Sequence, residues 1–181
     1  MSDQYVDQRR RKLQGLRDLG IDPYGARFGQ VLPNQYVRNK VERLRLEPGQ
    51  SSDADRARAA GRIVLLRDMG RLCFVTVRDS SGDLQLGISQ KAVGSDAWQA
   101  VKLLDLGDLV GAAGRLGRTK TGEITLWVDA LEVLCKSLRP LPEKWHGLQD
   151  VELRYRQRYV DLFANPDVMR VFQQRIAIIE T

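Results

Sequence analysis

The stretch between residues 61 and 88 constrains the fold of this chain most, because it predicts three short strands separated by two turns. Apolar residues of the second and third strands recur at every second position: Cys73, Val75, Val77, Leu84, Leu86 and Ile88. Such alternation is typical of strands that bury one face. A turn over 80–83 joins the two strands, and pairing Arg78 with Gln85 places both apolar rows on one face. We therefore expect an antiparallel hairpin that forms part of the core.

The opposite face of this hairpin is polar except for one aromatic side chain. Phe74 lies there with Thr76 and Arg78 from its own strand. Gln85 and Gly87 face the same side from the next strand. An exposed aromatic ring among hydrogen-bonding groups can stack an unpaired nucleic-acid base. The alternative is a ring covered by a neighbouring loop, and the alternation alone does not separate the two.

The order of predicted elements over residues 61–135 is typical of an OB-type barrel. After the three strands come a short helix beginning near Ser95, a glycine-rich strand at 109–118 and a long strand at 123–135. Barrels of this kind commonly bind single-stranded nucleic acid on the face where Phe74 and Gln85 are expected. The predicted fold is mainly β, a five-stranded barrel with N-terminal helices and a C-terminal linker plus helix.

Residues 1–60 are predicted to be a helical extension of the barrel. The periodicity of apolar residues indicates one helix over 3–19 and another over about 34–46, followed by a linker at 48–53. The first helix carries four consecutive cations: Arg9, Arg10, Arg11 and Lys12. The extension has a net charge of +4, while residues 61–135 are neutral. The cationic run is either a solvated helix face or, as we expect, a contact for a nucleic-acid backbone.

The composition favours a globular protein of the cytoplasm. Apolar residues make up 43% and charged residues 29% of the chain. No apolar run approaches the ~20 residues that span a bilayer, and the first residues do not resemble a secretory signal. Cys73 and Cys135 lie far apart without ligand-like neighbours, so we expect both to be reduced side chains of core strands.

Motifs in the last third of the chain carry a resemblance to a known family. Residues 136–165 predict a linker without regular structure, and Asn165 with Pro166 predicts the start of a closing helix. The motifs LRPLP (138–142), HGLQD (146–150) and RYRQRYVDL (154–162) resemble the segment between barrel and catalytic core in bacterial-type class II lysyl-tRNA synthetases. Further similar motifs are LGIDPY (19–24), FVTVRD (74–79), DLGD (105–108) and TKTGE (119–123).

The resemblance implies roles for individual residues. In that family the barrel reads the uridine-rich anticodon of lysine tRNA: an aromatic ring stacks on the central base and a glutamine bonds its edge. These positions match Phe74 and Gln85. A basic residue on the first strand matches Arg62, and an acidic residue after the fourth strand matches Glu123. With Arg78 opposite Gln85, a flat hairpin separates Phe74 from Gln85 by about 13 Å along the strand.

The resemblance also implies what this chain does not carry. Residues 166–181 are similar to the start of the class II catalytic domain, so the chain is expected to be truncated within the first class II motif. It would then hold no catalytic residues, no ATP or lysine site and no cofactor of its own. The complete enzyme is expected to be a homodimer that uses ATP and Mg²⁺. His146, the only histidine, is predicted to be structural.

Two other interpretations remain open at this point. The chain could be a free-standing OB-type module that binds single-stranded nucleic acid without catalysis. It could also be a scaffold for protein interactions, although loss of Phe74 and Gln85 would be expected in that case.

Overall fold

The computed structural model describes residues 3–25, 27–139 and 150–180. The chain divides into two compact units, Met1–Pro140 and Leu141–Thr181. The predicted structural residue His146 and most of the HGLQD motif lie outside the described residues.

The first unit is built on a closed five-stranded barrel. Its strands are β1 (Ser51–Asp68), β2 (Leu72–Arg78), β3 (Asp83–Ser89), β4 (Leu109–Arg118) and β5 (Ile124–Cys135). They follow the order β1-β2-β3-β5-β4, in which β3 and β5 are parallel and the other pairs antiparallel. This arrangement confirms the predicted OB-type barrel.

The first strand is longer than predicted. β1 starts at Ser51, so part of the expected linker and of the N-terminal extension belongs to the barrel. Its first half pairs with β4 and its second half with β2. Pairing with β4 buries only the small side chains of Ala57 and Ala59, among charged neighbours. A local hydrophobic pattern therefore does not reveal this half of the strand.

The loop between the paired residues of β2 and β3 is shorter than predicted. Arg78 lies opposite Asp83 rather than Gln85, and the prediction was wrong by two residues. A bidentate ion pair joins these two paired residues, with Arg78 Nε 2.6 Å from Asp83 Oδ1 and its second nitrogen 2.8 Å from Oδ2. Because the shift is an even number of residues, the two apolar rows still share a face, as expected.

Alternating apolar residues fill the barrel, including all six that the hairpin pattern predicted. Cys73 is buried among them, and burial raises the pKa of its thiol. Cys135 is only partly buried, and both cysteines are free thiols.

Over its described residues this unit has three helices besides the barrel: α1 (Asp3–Asp18), α2 (Asn34–Leu44) and α3 (Gln90–Lys102). The structure begins α3 earlier than predicted: Ser89 accepts a hydrogen bond from the Ala92 amide, and the backbone bends at Gly94. α2 is anchored by Asn34, whose buried amide donates to the carbonyls of Val77 and Gly82 on the hairpin. The anchor fixes one end of α2 beside the β2–β3 turn.

A buried ionic network closes the end of the barrel where β5 leaves it. Lys136 is fully buried, and its ammonium lies 2.7 Å from a carboxylate oxygen of Asp105 and 2.7 Å from one of Asp108. Lys12 from α1 lies 2.6 Å from the other oxygen of Asp105. The network therefore joins α1, the loop before β4 and the residue after β5.

This network makes the stability of the chain depend on acid pH. Burial alone would raise the pKa of Asp105, but hydrogen bonds from Lys12 and Lys136 outweigh it and hold that pKa below its ordinary value. The pKa of Asp105 is lower in the folded chain than in the unfolded chain. The ionised carboxylate therefore stabilises the fold fully above the unfolded-state pKa of about 3.9, and this stabilisation is lost as pH falls through the folded-state pKa.

We expect Asp105→Asn to remove this part of the acid dependence. Urea midpoints measured between neutral pH and pH 3 should fall less steeply for the variant than for the wild-type chain. Identical slopes for the two proteins would mean that Asp105 does not couple folding to protonation.

The second unit contains three helices over its described residues: α4 (Val151–Arg156), α5 (Arg158–Ala164) and α6 (Pro166–Ile179). The predicted irregular linker thus forms two short helices in its described part. Asp150 caps α4, and the buried carboxylate of Asp161 accepts hydrogen bonds from Arg154 and Arg158. These polar contacts carry no hydrophobic periodicity, which is why the sequence did not predict the helices. The predicted closing helix is confirmed as α6.

Among the described residues, none of the helices has the length and apolar character required to cross a bilayer.

Candidate nucleic-acid interface

One row of paired residues crosses the outer face of all five strands. Arg67 on β1 lies opposite Phe74 on β2, and Phe74 lies opposite Gly87 on β3. Gly87 pairs with Trp127 on β5, which in turn pairs with Arg115 on β4. Two aromatic rings thus lie in the middle of the row, with an arginine at each end.

The row lies in an open groove of about 1040 Å³. Five basic side chains line the groove: Arg38, Arg67, Arg115, Arg118 and Lys120. Asp83 and Glu123 are its acidic residues. The groove is therefore cationic although residues 61–135 are neutral as a whole, because four of their nine basic residues but two of their nine acidic residues line it, and α2 adds Arg38.

Gln85 is held in a fixed orientation beside the aromatic pair. Its Oε1 accepts a hydrogen bond from Arg67 at 3.1 Å, and its Nε2 donates to Thr125 Oγ1 at 2.8 Å. The Thr125 hydroxyl donates in turn to the Glu123 carbonyl at 3.1 Å. The amide of Gln85 keeps one N–H and one lone pair for a further partner. Although Gln85 is 6% exposed, it can thus bond the edge of a base that enters the groove.

The corrected register brings Gln85 nearer to Phe74 than the sequence suggested. Gln85 lies opposite Thr76, two residues along β2 from Phe74. This corresponds to about 7 Å along the strand, in place of about 13 Å. One base can therefore contact both side chains in the hairpin as it is formed.

Glu123 and Arg62 have different positions relative to the groove. The half-exposed Glu123 lines it, and its carboxylate lies 3.4 Å from the guanidinium of Arg38. Arg62 is not among the groove-lining residues; it pairs with Arg78 at the far end of β2 and donates to the Gly107 carbonyl at 2.8 Å. The arginine of β1 that lines the groove is Arg67.

Sequence reasoning missed several residues of the groove. Trp127 could have been found, since it alternates with the inward-facing Leu126 and Val128 on β5. The outward position of Arg67 could not, because it depends on an irregularity in the β1–β2 pairing between Ile63 and Leu65. Arg38 comes from a helix outside the barrel, so only the fold brings it to this site.

The structure divides the cationic run of α1. The guanidinium of Arg9 is directed into the protein and donates to the carbonyls of Leu106, Ser137 and Arg139 at 2.9–3.0 Å. Lys12 bonds Asp105. Arg10 and Arg11 are exposed, and Arg10 makes a wide ion pair with Asp7 at 3.5 Å. Two of the four predicted backbone contacts are therefore structural anchors in this conformation.

The part of the chain that the structure describes contains no cluster of three or more His, Cys, Asp or Glu side chains that could hold a metal ion. The groove thus offers aromatic faces, amide and carboxylate groups and cations.

Comparison with known proteins agrees with this chemistry. Residues 57–134 match the family of OB-fold nucleic acid binding domains that bind tRNA anticodons. The barrel is an anticodon-binding OB domain.

Nearly the whole chain is similar to proteins that are named lysine–tRNA ligases. It is 43% identical over 180 residues to the lysine–tRNA ligase of Carboxydothermus hydrogenoformans, covering 99% of this chain and 35% of the relative. It is 44% identical over 171 residues to that of Pelotomaculum thermopropionicum, covering 94% and 32%. The lysine–tRNA ligase of Anaeromyxobacter sp. (strain K) is 43% identical over 179 residues, with coverages of 96% and 34%. The chain spans about a third of the length of these relatives and matches the N-terminal region of lysine–tRNA ligases.

Proposed function

We propose that the groove binds the unpaired anticodon bases of lysine tRNA, with Phe74 stacked on the central base and Gln85 bonded to its edge. The observation that carries this proposal is the row that places two aromatic rings between Arg67 and Arg115 on the outer face of the barrel. Aromatic faces bind bases, and flanking cations bind the phosphates between them.

The remaining groups of the groove complete this function. Glu123 accepts a hydrogen bond from a base when Arg38 turns from it to a phosphate; their exposed ion pair is weak enough to be exchanged. Arg118 and Lys120 lie on the same side and add cationic charge along the path of the strand. Arg62 stays a predicted anticodon contact, and its position limits it to a nucleotide near the far end of β2.

For the whole protein we propose ATP-dependent attachment of lysine to its tRNA in the cytoplasm. Residues 61–135 are proposed as the anticodon-binding part, 136–165 as the linker and 166–181 as the start of a class II catalytic domain with ATP and Mg²⁺. A homodimer is proposed as its assembly. The exposed apolar side chains of Val171, Ile176 and Ile179 on α6 support this, since such a face is usually covered by protein.

Binding to anticodon stem-loops at fixed salt tests the proposal. The chain should bind the stem-loop of lysine tRNA more tightly than the same stem with another anticodon. Both RNAs have the same number of phosphates, so non-specific charge contributes equally. Equal affinities would instead support a free-standing module for single-stranded nucleic acid.

The division of the cationic run gives a second prediction. Replacing Arg10 and Arg11 with Gln should lower affinity for every tRNA about equally. It should flatten the dependence of log affinity on log salt by about one for each lost phosphate contact. The thermal midpoint should stay unchanged because both side chains are exposed.

The matched control is Arg9→Gln, from the same helix. It should lower the thermal midpoint because three carbonyl groups lose their shared donor. An unchanged salt slope after replacement of Arg10 and Arg11 would show that they form only a solvated face.

A further inference from the structure

The indole of Trp127 lies flat against the barrel on the floor of the groove. A side chain added at Gly87 on β3 would place its Cβ 2.6 Å from Cε3 and 2.7 Å from Cζ3 of this indole. A Cβ at Gly117 on β4 would lie 2.9 Å from Cδ1. The ring thus approaches glycines on the strands at both sides of β5. A ring standing upright on the sheet could not do so, and these glycines leave the space that the indole occupies.

The Phe74 ring forms a wall beside this floor. The two ring centroids lie 6.1 Å apart, and their planes are inclined by 63°. Each ring is partly exposed and lines the groove. A base stacked on Phe74 therefore cannot be parallel to the indole, and the face of Trp127 remains open to another base.

We propose that Trp127 is a second base-stacking surface, so that the groove holds two unpaired nucleotides of one RNA strand. One base stacks on Phe74 and another on Trp127, and the 63° between the rings splays the two bases apart. Arg115, paired with Trp127 on β4, lies where it can bind the phosphate of the second nucleotide. This inference rests on the proposed function of the groove and extends it to a second base.

The alternative role for Trp127 is support of the Phe74 ring through their edge-to-face contact. The two roles differ in how the substitutions combine. If the two rings stack separate bases, substituting each ring lowers the binding free energy independently of the other. If Trp127 only supports Phe74, substituting Trp127 does not change the affinity once Phe74 has been removed.

A double-mutant cycle with the 181-residue chain and the lysine anticodon stem-loop distinguishes them. Trp127→Leu should weaken binding about 5- to 150-fold, the range for one base on one aromatic ring. In the double variant with Phe74→Ala, the affinity should fall by the product of the fold-changes of the two single variants. A Trp127→Leu substitution without effect in the Phe74→Ala background would overturn the inference. Trp127→Phe keeps an aromatic face and should retain most of the affinity, which guards against a leucine variant that fails to fold.

Fluorescence provides a second measurement. In a chain with Trp98→Phe and Trp145→Phe, Trp127 is the remaining tryptophan. Its emission should be quenched by the stem-loop along the binding curve. Replacing one loop nucleotide of the RNA by an abasic one should abolish that quenching. With this abasic RNA, Phe74→Ala should still weaken binding. Binding without quenching would overturn the inference alone, whereas a Phe74→Ala variant with full affinity would overturn the proposed function.

Discussion

Phe74→Ala is expected to weaken binding to the lysine anticodon stem-loop by about 1–3 kcal/mol, the range for one base stacked on one aromatic ring. The ring lies on the outer face of β2, contacts Trp127 edge to face and lines the groove. Because it is only partly buried, its removal should cost less folding stability than the 3–5 kcal/mol typical of a buried phenylalanine. Titration of a labelled stem-loop at fixed salt, with a urea denaturation of the same variant, measures both effects.

Tyr36→Ala is the matched control for this experiment. Tyr36 is an aromatic residue that is 52% exposed on α2 and is not among the residues that line the groove. Its removal should leave the affinity unchanged. If Phe74→Ala behaves like this control, or unfolds the chain, then Phe74 is a packing residue and not a base contact.

Lys136→Met is expected to lower the free energy of unfolding by about 3–5 kcal/mol, the cost of breaking a buried ion pair from one side. Methionine preserves most of the apolar stem but removes the ammonium, which lies 2.7 Å from both Asp105 and Asp108. The Asp108 side chain is fully buried, so its charge would lose its nearest cation without gaining water. Urea denaturation at neutral pH, followed by the tryptophan fluorescence of the chain, reports the change.

An exposed ion pair of the same composition provides the comparison. Lys102 lies 2.6 Å from Asp68, and both side chains are more than a third exposed. Lys102→Met should therefore cost no more than about 1 kcal/mol. Combining Lys136→Met with Asp108→Asn should recover part of the loss, because the second change removes the uncompensated charge. A Lys136→Met variant as stable as Lys102→Met would show that the buried network contributes little to folding.

The sequence alone determined the existence of the five strands, except for the first half of β1, and the inward face of the β2–β3 hairpin. Alternation of apolar and polar residues is a local property with a period of two, and it survives an error in register by two residues. The interior row from Cys73 to Ile88 and the outward position of Phe74 were therefore predictable. The series of motifs from LGIDPY to RYRQRYVDL was sufficient to indicate a resemblance to lysyl-tRNA synthetases, and the relatives that match the chain are lysine–tRNA ligases.

The tertiary structure decided how those faces form a site. The register that pairs Arg78 with Asp83 brings Gln85 within about 7 Å of Phe74 along the hairpin. Closure of β5 between β3 and β4 places Trp127 against Gly87, and the docking of α2 brings Arg38 to the groove. The contacts of β5 and α2 join residues that are distant in sequence, so no local pattern encodes them.

The cationic run of α1 shows the same limit. Four adjacent basic residues look equivalent in the sequence, yet a helix directs neighbouring residues to different sides. Arg9 and Lys12, three residues apart, face the barrel, where carbonyl groups and Asp105 hold them, while Arg10 and Arg11 stay exposed. The sequence determined that this helix is cationic. Only its packing against the loop before β4 and the residues after β5 decided which of these charges remain exposed.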